Sequence, residues 1–164
     1  MTAVVYVSLG SNVDRESNIR LAVGGMRQVF GRLRLSPVYE SEAVGFDGDD
    51  FLNLVAGFEC DIDVREVVLA LREIEDQQGR DRTLPRFSHR PIDLDILTYD
   101  DLEIDEEGIQ IPRHEILVNA FVLRPLQDLA PHTLHPLAKK SYRELWQAML
   151  PTAIHTEIYD LSLD

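Results

Sequence analysis

Between Gly79 and Leu97 the chain reads GRDRTLPRFSHRPIDLDIL. Four arginines, Arg80, Arg82, Arg86 and Arg90, run into two aspartates, Asp93 and Asp95, which alternate with Ile92, Leu94 and Ile96. On a strand, residues two apart share a face and lie about 6.6 Å apart along the chain. At an effective dielectric near 20, two unit charges at that distance repel by about 2.5 kcal/mol. Aspartate is also a poor strand former, so something positive should offset the pair. A magnesium ion held by one or two carboxylates plus substrate phosphates would do so. Arginines on an adjoining loop could close over a triphosphate and neutralise charge in the transition state. The stretch therefore points to magnesium-dependent chemistry on ATP. The D-x-D spacing alone is not specific: it recurs at Asp47/Asp49 and Asp61/Asp63. A solvated strand face paired with surface arginines would give the same letters.

The rest of the chain bounds that reading. Its 164 residues suit a single domain spanning 1–164, and 45% apolar content argues for a real core. The formal charge of −13 is expected to repel nucleic acid and anionic membrane. It also repels ATP at long range, so a nucleotide site must make its own positive field. Fourteen of the sixteen basic residues are arginine, which grips phosphate bidentately. No apolar run approaches the roughly 20 residues that cross a membrane. The opening MTAVVYVSLGSN lacks a basic leader and reads as a first strand. Cys60 is the only cysteine, which allows no internal disulfide and fits the cytoplasm.

The elements that must position the charged stretch follow from periodicity. Residues 4–9 form an apolar strand, and 14–30 carry helical spacing that Gly31 stops. Leu33–Tyr39 and Phe51–Cys60 are predicted strands around the acidic turn GFDGDD at 45–50. Asp63-Val-Arg-Glu66 resembles a capping box and starts a helix that Gly79 ends. Ile92–Tyr99 is the next strand. The acidic DDLEIDEEG (100–108) connects as a hairpin to Ile109–Ile111. Asn119–Leu129 and Tyr142–Met149 are further helices, and 153–161 a last strand. The order β-α-β-β-α-β predicts an α+β, ferredoxin-like sandwich. Its sheet would be mostly antiparallel, with flanking helices and an added hairpin and C-terminal elements.

Other chemistries leave no trace. There is no G-x-x-x-x-G-K-[ST], no G-x-G-x-x-G, no H-E-x-x-H and no G-x-S-x-G. His132 and His135 have a ligand-like spacing but no companion cluster, which disfavours zinc. Cys60 reads as a small core residue on a strand. Glu75 sits near the edge of an apolar helix face, where it could orient an arginine or be an ordinary boundary residue.

Several spaced segments, in register over residues 4–131, resemble the 6-hydroxymethyl-7,8-dihydropterin pyrophosphokinase family of folate biosynthesis. They are SLGSN (8–12), Tyr39 with the loop to Gly45, DFLN (50–53), EIEDQQGRDR (73–82), RPIDLDIL (90–97) and IPRHEILVNAFVLRPLQDLAP (111–131). The resemblance implies transfer of pyrophosphate from ATP to the pterin hydroxymethyl group, with release of AMP. It implies two Mg²⁺ ions held by Asp93 and Asp95, and Arg80 and Arg90 acting on the phosphates. It implies a pterin pocket of Ser41, Val44, Phe51, Asn53 and Phe121. On the ATP side it implies Glu75, Arg82, Phe87, Arg90, Ile96, Arg113 and His114. The partners are then two small molecules, acted on in the cytoplasm by a monomer.

Those types suit the task. A flat heteroaromatic ring stacks between aromatic faces, and its amide-like edge needs a fixed partner such as asparagine. Four positions depart from the family pattern. Phe87 stands where a tryptophan is usual. Arg113 follows Pro112 where a histidine is usual, with His114 one place later. Asn119 and Gly108 stand where basic residues are common. These changes thin the positive lining around ATP and leave a rival open: a non-catalytic pterin-binding or interaction module on the same fold. A different phosphotransferase would release ADP.

Overall fold

The computed structural model describes residues 2–42, 50–79 and 91–163. Val44, Arg80, Arg82, Arg86, Phe87 and Arg90 lie outside the described residues. Strand β1 (Ala3–Ser11) leads to helix α1 (Arg15–Phe30). Two short strands, β2 (Arg34–Leu35) and β3 (Val38–Ser41), precede the long β4 (Phe51–Cys60). Helix α2 (Val64–Gln77) returns the chain to β5 (Asp93–Tyr99). A separate hairpin pairs β6 (Ile104–Glu106) with β7 (Ile109–Ile111). Helices α3 (Ala120–Leu129) and α4 (Tyr142–Met149) and strand β8 (Glu157–Tyr159) complete the chain. None of the helices among the described residues is long and apolar enough to cross a membrane.

The main sheet runs β5-β1-β4-β3-β8, with β2 also on β4, and every pair is antiparallel. The βαββαβ order with the last strand beside the first is the expected ferredoxin-like arrangement. Alternation assigns the faces. Val5, Val7, Leu9, Leu52, Leu54, Ala56, Leu94 and Ile96 bury one face under α1 and α2. Tyr6, Val55 and Leu97 point the other way, under α3 and α4. Each core is therefore written as a period-two pattern in the strands and a 3.6-residue pattern in the helices.

Local differences from the predicted elements have local causes. The single strand expected over Leu33–Tyr39 breaks at Ser36-Pro37. Proline offers no ladder N–H there, and the Ser36 hydroxyl instead accepts from Val55 N–H at 2.9 Å. The Asp63 side chain caps α2 by accepting from Arg65 N–H at 2.8 Å. A full reciprocal box occurs at Ser141/Glu144, opening α4. A third of the acidic 100–108 connection is itself strand β6. Cys60 is partly buried against the first core.

His135 is buried, with 1% of its surface exposed. Its Nδ1 accepts from Leu137 N–H (3.1 Å) and Ala138 N–H (3.0 Å), so this ring nitrogen serves a turn and is already engaged. Burial pushes its pKa below the ordinary 6.5. Below pH 6.5 the unfolded chain takes up a proton that the folded chain resists. Stability from this group is present above the unfolded pKa and is lost as pH falls through the folded one. Urea melts are expected to show a smaller drop in stability between pH 7 and pH 5 for His135→Gln than for the wild type.

Candidate active site

The paired carboxylates lie on β5, the edge strand of the sheet. Asp93 pairs with Gly10 and Asp95 with Ser8 on β1. Because Leu94 and Ile96 enter the first core, Asp93 and Asp95 face the α3 side. A register shift opposite Tyr6/Val7 then inserts Leu97 as an extra residue. The Asp95 side chain keeps 37% exposure, which suits a group that must meet a charged ligand.

On the same face, Asn53 two strands across is buried at 6% exposure and Ser41 on the strand beyond it at 5%. Asn53 pairs with Gly10 on β1, so Asn53, Gly10 and Asp93 form one row across the sheet. The Asn53 amide donates to the Ser41 hydroxyl at 3.3 Å. A Cβ on Gly10 would stand 2.7 Å from Asn53 Oδ1, so the missing side chain is what lets the amide lie over the strand. Phe51 shares this face, half-buried at the start of β4. Phe121 is in the first turn of α3, partly buried against the second core.

Helix α3 is bolted down one turn beyond Phe121. The Arg124 guanidinium lies 4.6 Å from the centre of the Tyr39 ring, and Nη1 donates to Thr156 O and Oγ1, both at 2.8 Å. The Tyr39 hydroxyl donates to Asp128. These contacts fix where Phe121 stands above β3 and β4.

A cavity of about 190 Å³ opens along the free edge of β5. Helix α2 (Val68, Leu71, Arg72, Glu75), β5 (Leu94–Ile96) and the hairpin region (Gly108, Gln110, Arg113) wall it. Asp95 thus borders both the sheet face and this cavity. Ile96 is buried in its wall at 7% exposure. Glu75 is buried at 5% exposure, and its carboxylate accepts Leu94 N–H at 2.8 Å. That N–H lies between the two aspartates, on the strand edge that no other strand among the described residues covers. Of the two sequence readings of Glu75, the ordinary boundary residue does not describe this buried carboxylate. A hydrogen bond to a buried carboxylate is worth about 1.5–3 kcal/mol. Glu75→Ala is expected to lose about that much unfolding free energy in urea, and Glu75→Gln less than half of it.

Arg113 sits between the carboxylates. Its N–H donates to Leu97 O at 2.9 Å, hanging it from β5. Its Nε and Nη2 reach Glu115 Oε1 at 2.9 and 2.6 Å, and Nη2 lies 3.7 Å from Asp95 Oδ2. Burial works against the charge, but Asp95 and Glu115 outweigh it and hold the Arg113 pKa above the ordinary value. Glu115 Oε2 in turn accepts from the Asn119 amide at 3.3 Å, at the N-cap of α3.

His114 is not brought to this cavity. It lines a groove of about 460 Å³ with Glu103, Asp105, Pro112 and Leu137. Sequence reasoning missed Gly10, Arg72 and Glu115. Only Gly10 left a signal, as a glycine inside an apolar strand run. Arg72 donates to Gly108 O at 3.3 Å, and a Cβ on Gly108 would stand 2.7 Å from its Nη2. An arginine from α2 therefore occupies space beside the position where the family's hairpin is commonly basic.

The two aspartates suit magnesium by their chemistry. They are hard oxygen donors on one face beside a cavity, and Mg²⁺ typically takes one or two carboxylates and completes its shell with water and phosphate oxygens.

The chain is similar to known proteins over most of its length. Residues 6–131 match the family model for 7,8-dihydro-6-hydroxymethylpterin-pyrophosphokinase (HPPK). The 2-amino-4-hydroxy-6-hydroxymethyldihydropteridine pyrophosphokinase of Aquifex aeolicus is 33% identical, over 87% of this chain and 89% of that one. The Pseudomonas aeruginosa protein of the same name is 36% identical, over 77% and 80%. Among solved structures, an HPPK-DHPS in complex with substrates superposes with a TM-score of 0.76 at 11% identity. It covers 93% of this chain and 44% of that one, so this chain spans under half of that protein. Plasmodium falciparum HPPK-DHPS gives a TM-score of 0.73 at 14% identity, over 92% and 43%. These distant structures show the shared fold. The matched model and the two relatives, 33% and 36% identical over most of both chains, show that this chain belongs to the HPPK family.

Proposed function

We propose that the protein transfers the β,γ-pyrophosphoryl group of ATP to the hydroxymethyl oxygen of 6-hydroxymethyl-7,8-dihydropterin. The hydroxyl oxygen attacks the β-phosphorus, the bond from that phosphorus to the α,β-bridging oxygen breaks, and AMP leaves while the hydroxyl proton is lost. The observation that carries this reading is the single row of Asn53, Gly10 and Asp93, with Asp95 beside it at the mouth of the β5-edge cavity. One substrate can lie on the sheet face and the other along its edge, meeting at the aspartates.

In this reading Asn53 and Ser41 fix the polar edge of the pterin, and Phe51 and Phe121 hold its ring. Val44 is assigned to the pterin by the family resemblance alone. Asp93 and Asp95 would hold Mg²⁺, which would supply charge neutralisation at the phosphate oxygens. Arg113 offers its guanidinium to the phosphates. Glu75 holds β5 so that both carboxylates stay aimed. Arg80 and Arg90 act on the transferring group, Arg82, Phe87 and Ile96 serve the nucleotide, and the reaction takes place in the cytoplasm. No nucleophilic side chain is needed, since positioning and charge stabilisation carry phosphoryl chemistry.

The test is AMP release from Mg-ATP by purified protein, with and without the pterin. AMP formed only with pterin supports the reading. ADP in its place would overturn it in favour of an ordinary phosphotransferase. Pterin binding without AMP would overturn it in favour of a binding module.

A further inference from the structure

We infer that Arg113 is a resident counter-ion of Asp95 that changes partner when nucleotide arrives, and so couples the binding of nucleotide and divalent cation. The inference rests on the reading above, in which Asp93 and Asp95 hold the metal.

Two unequal grips hold the guanidinium. Glu115 takes Nε and Nη2 at 2.9 and 2.6 Å. Asp95 stands at 3.7 Å, beyond hydrogen-bond reach. The contact that fixes Arg113 is therefore not the one with Asp95. Asp95 can pass to another cation while Glu115 and the Arg113 N–H to Leu97 O bond keep the arginine in place. Both Arg113 and Asp95 line the β5-edge cavity, so a triphosphate entering it meets the cation beside the carboxylate.

The charges then favour joint occupancy. Without nucleotide, a divalent cation at Asp95 must settle next to a fixed positive charge. Phosphate oxygens reverse that balance, since Arg113 can donate to them and their charge offsets its repulsion of the metal. Linkage makes the effect reciprocal: metal strengthens nucleotide binding as much as nucleotide strengthens metal binding. Glu115 also carries the arrangement to the N-cap of α3 through Asn119.

The experiment titrates Mn²⁺, an oxygen-preferring stand-in for Mg²⁺, and follows free Mn²⁺ by its paramagnetic resonance. It uses the whole protein, with and without α,β-methylene-ATP, and corrects for metal bound by the analogue itself. Loss of a partly exposed ion pair sets the scale, so Arg113→Met is expected to bind Mn²⁺ about fivefold more tightly than wild type without nucleotide. The gain in Mn²⁺ affinity on adding the analogue is expected to shrink by about the same factor. A merely structural role would weaken both. Arg113→Gln carries the same expectation if the methionine variant does not fold. Arg72→Met removes another arginine from the same cavity, and its metal affinity without nucleotide is expected to stay within about twofold of wild type; an equal gain there would overturn the inference in favour of a general field.

Unchanged or weaker Mn²⁺ binding by folded Arg113→Met, with Asp95→Asn abolishing it, overturns the counter-ion role alone. Mn²⁺ binding indifferent to Asp95→Asn overturns the metal placement and the inference together.

Discussion

Asp95→Asn is expected to lower turnover by about a thousandfold or more, a loss of about 4 kcal/mol of transition-state stabilisation. Pterin affinity should stay within about threefold of wild type. The substitution is nearly isosteric and removes only charge. Asp95 sits on an ordered strand opposite Ser8, so the backbone does not depend on its carboxylate. Asn53 and Ser41, proposed to hold the pterin, bond to one another on other strands and should not notice the change. The folded protein should also keep its thermal midpoint, because one of two like charges on a strand face is gone. Single-turnover AMP release, fluorescence titration of pterin and thermal melts check the three parts. Turnover within tenfold of wild type would remove Asp95 from the catalytic machinery.

Gly10→Ala is the second large effect. Real Cβ contacts essentially never fall below 3.0 Å, and this one would form at 2.7 Å from Asn53 Oδ1. The amide is 6% exposed and tied to Ser41, so it cannot step aside without losing that bond. A site whose fixed donor and acceptor are displaced leaves buried polar groups of the ligand unpaired. The expected result is a rise in pterin KM of about a hundredfold, corresponding to about 2.7 kcal/mol, with little change in KM for ATP. Gly57→Ala is the informative control. Its Cβ would stand 2.8 Å from the Tyr6 ring, on the α3 side of the same strand pair. That variant should lose stability and keep its pterin KM. Equal KM effects for the two glycines would mean that general sheet damage, not the Asn53 amide, was being measured.

Much of this was legible in the letters. The strand faces are written as alternation, which by itself places Asp93 and Asp95 on one face. The role of Gly10 was only half-written: a glycine in an apolar run signals close approach, but not what approaches. Which strands neighbour each other decides that, and β4 reaches β1 only through the sheet order. Glu75 was harder. Its position on the helix suggests a boundary residue, and its burial comes from lying against the outer edge of β5, a tertiary fact. Glu115 carried no signal, because an arginine and a glutamate two apart are common on any surface. The break at Ser36-Pro37 should have been read from the proline. The roles assigned to Arg80, Arg82, Phe87, Arg90 and Val44 rest on the family resemblance, and these residues lie outside the described ones.

The carboxylate that closes the open side of β5 has a further consequence, for solubility. A terminal strand with spare N–H and C=O groups is a template on which an extended segment of another molecule can add. At Leu94 that template is already filled from within by Glu75, and the charge it brings discourages a second chain from approaching. The strand carrying the aspartates can thus stay at the rim of the sheet, open to small molecules, without serving as a seed for strand-to-strand association. Keeping the strand of Asp93 and Asp95 accessible and keeping the protein dispersed at high concentration are, at this position, one requirement met by one side chain.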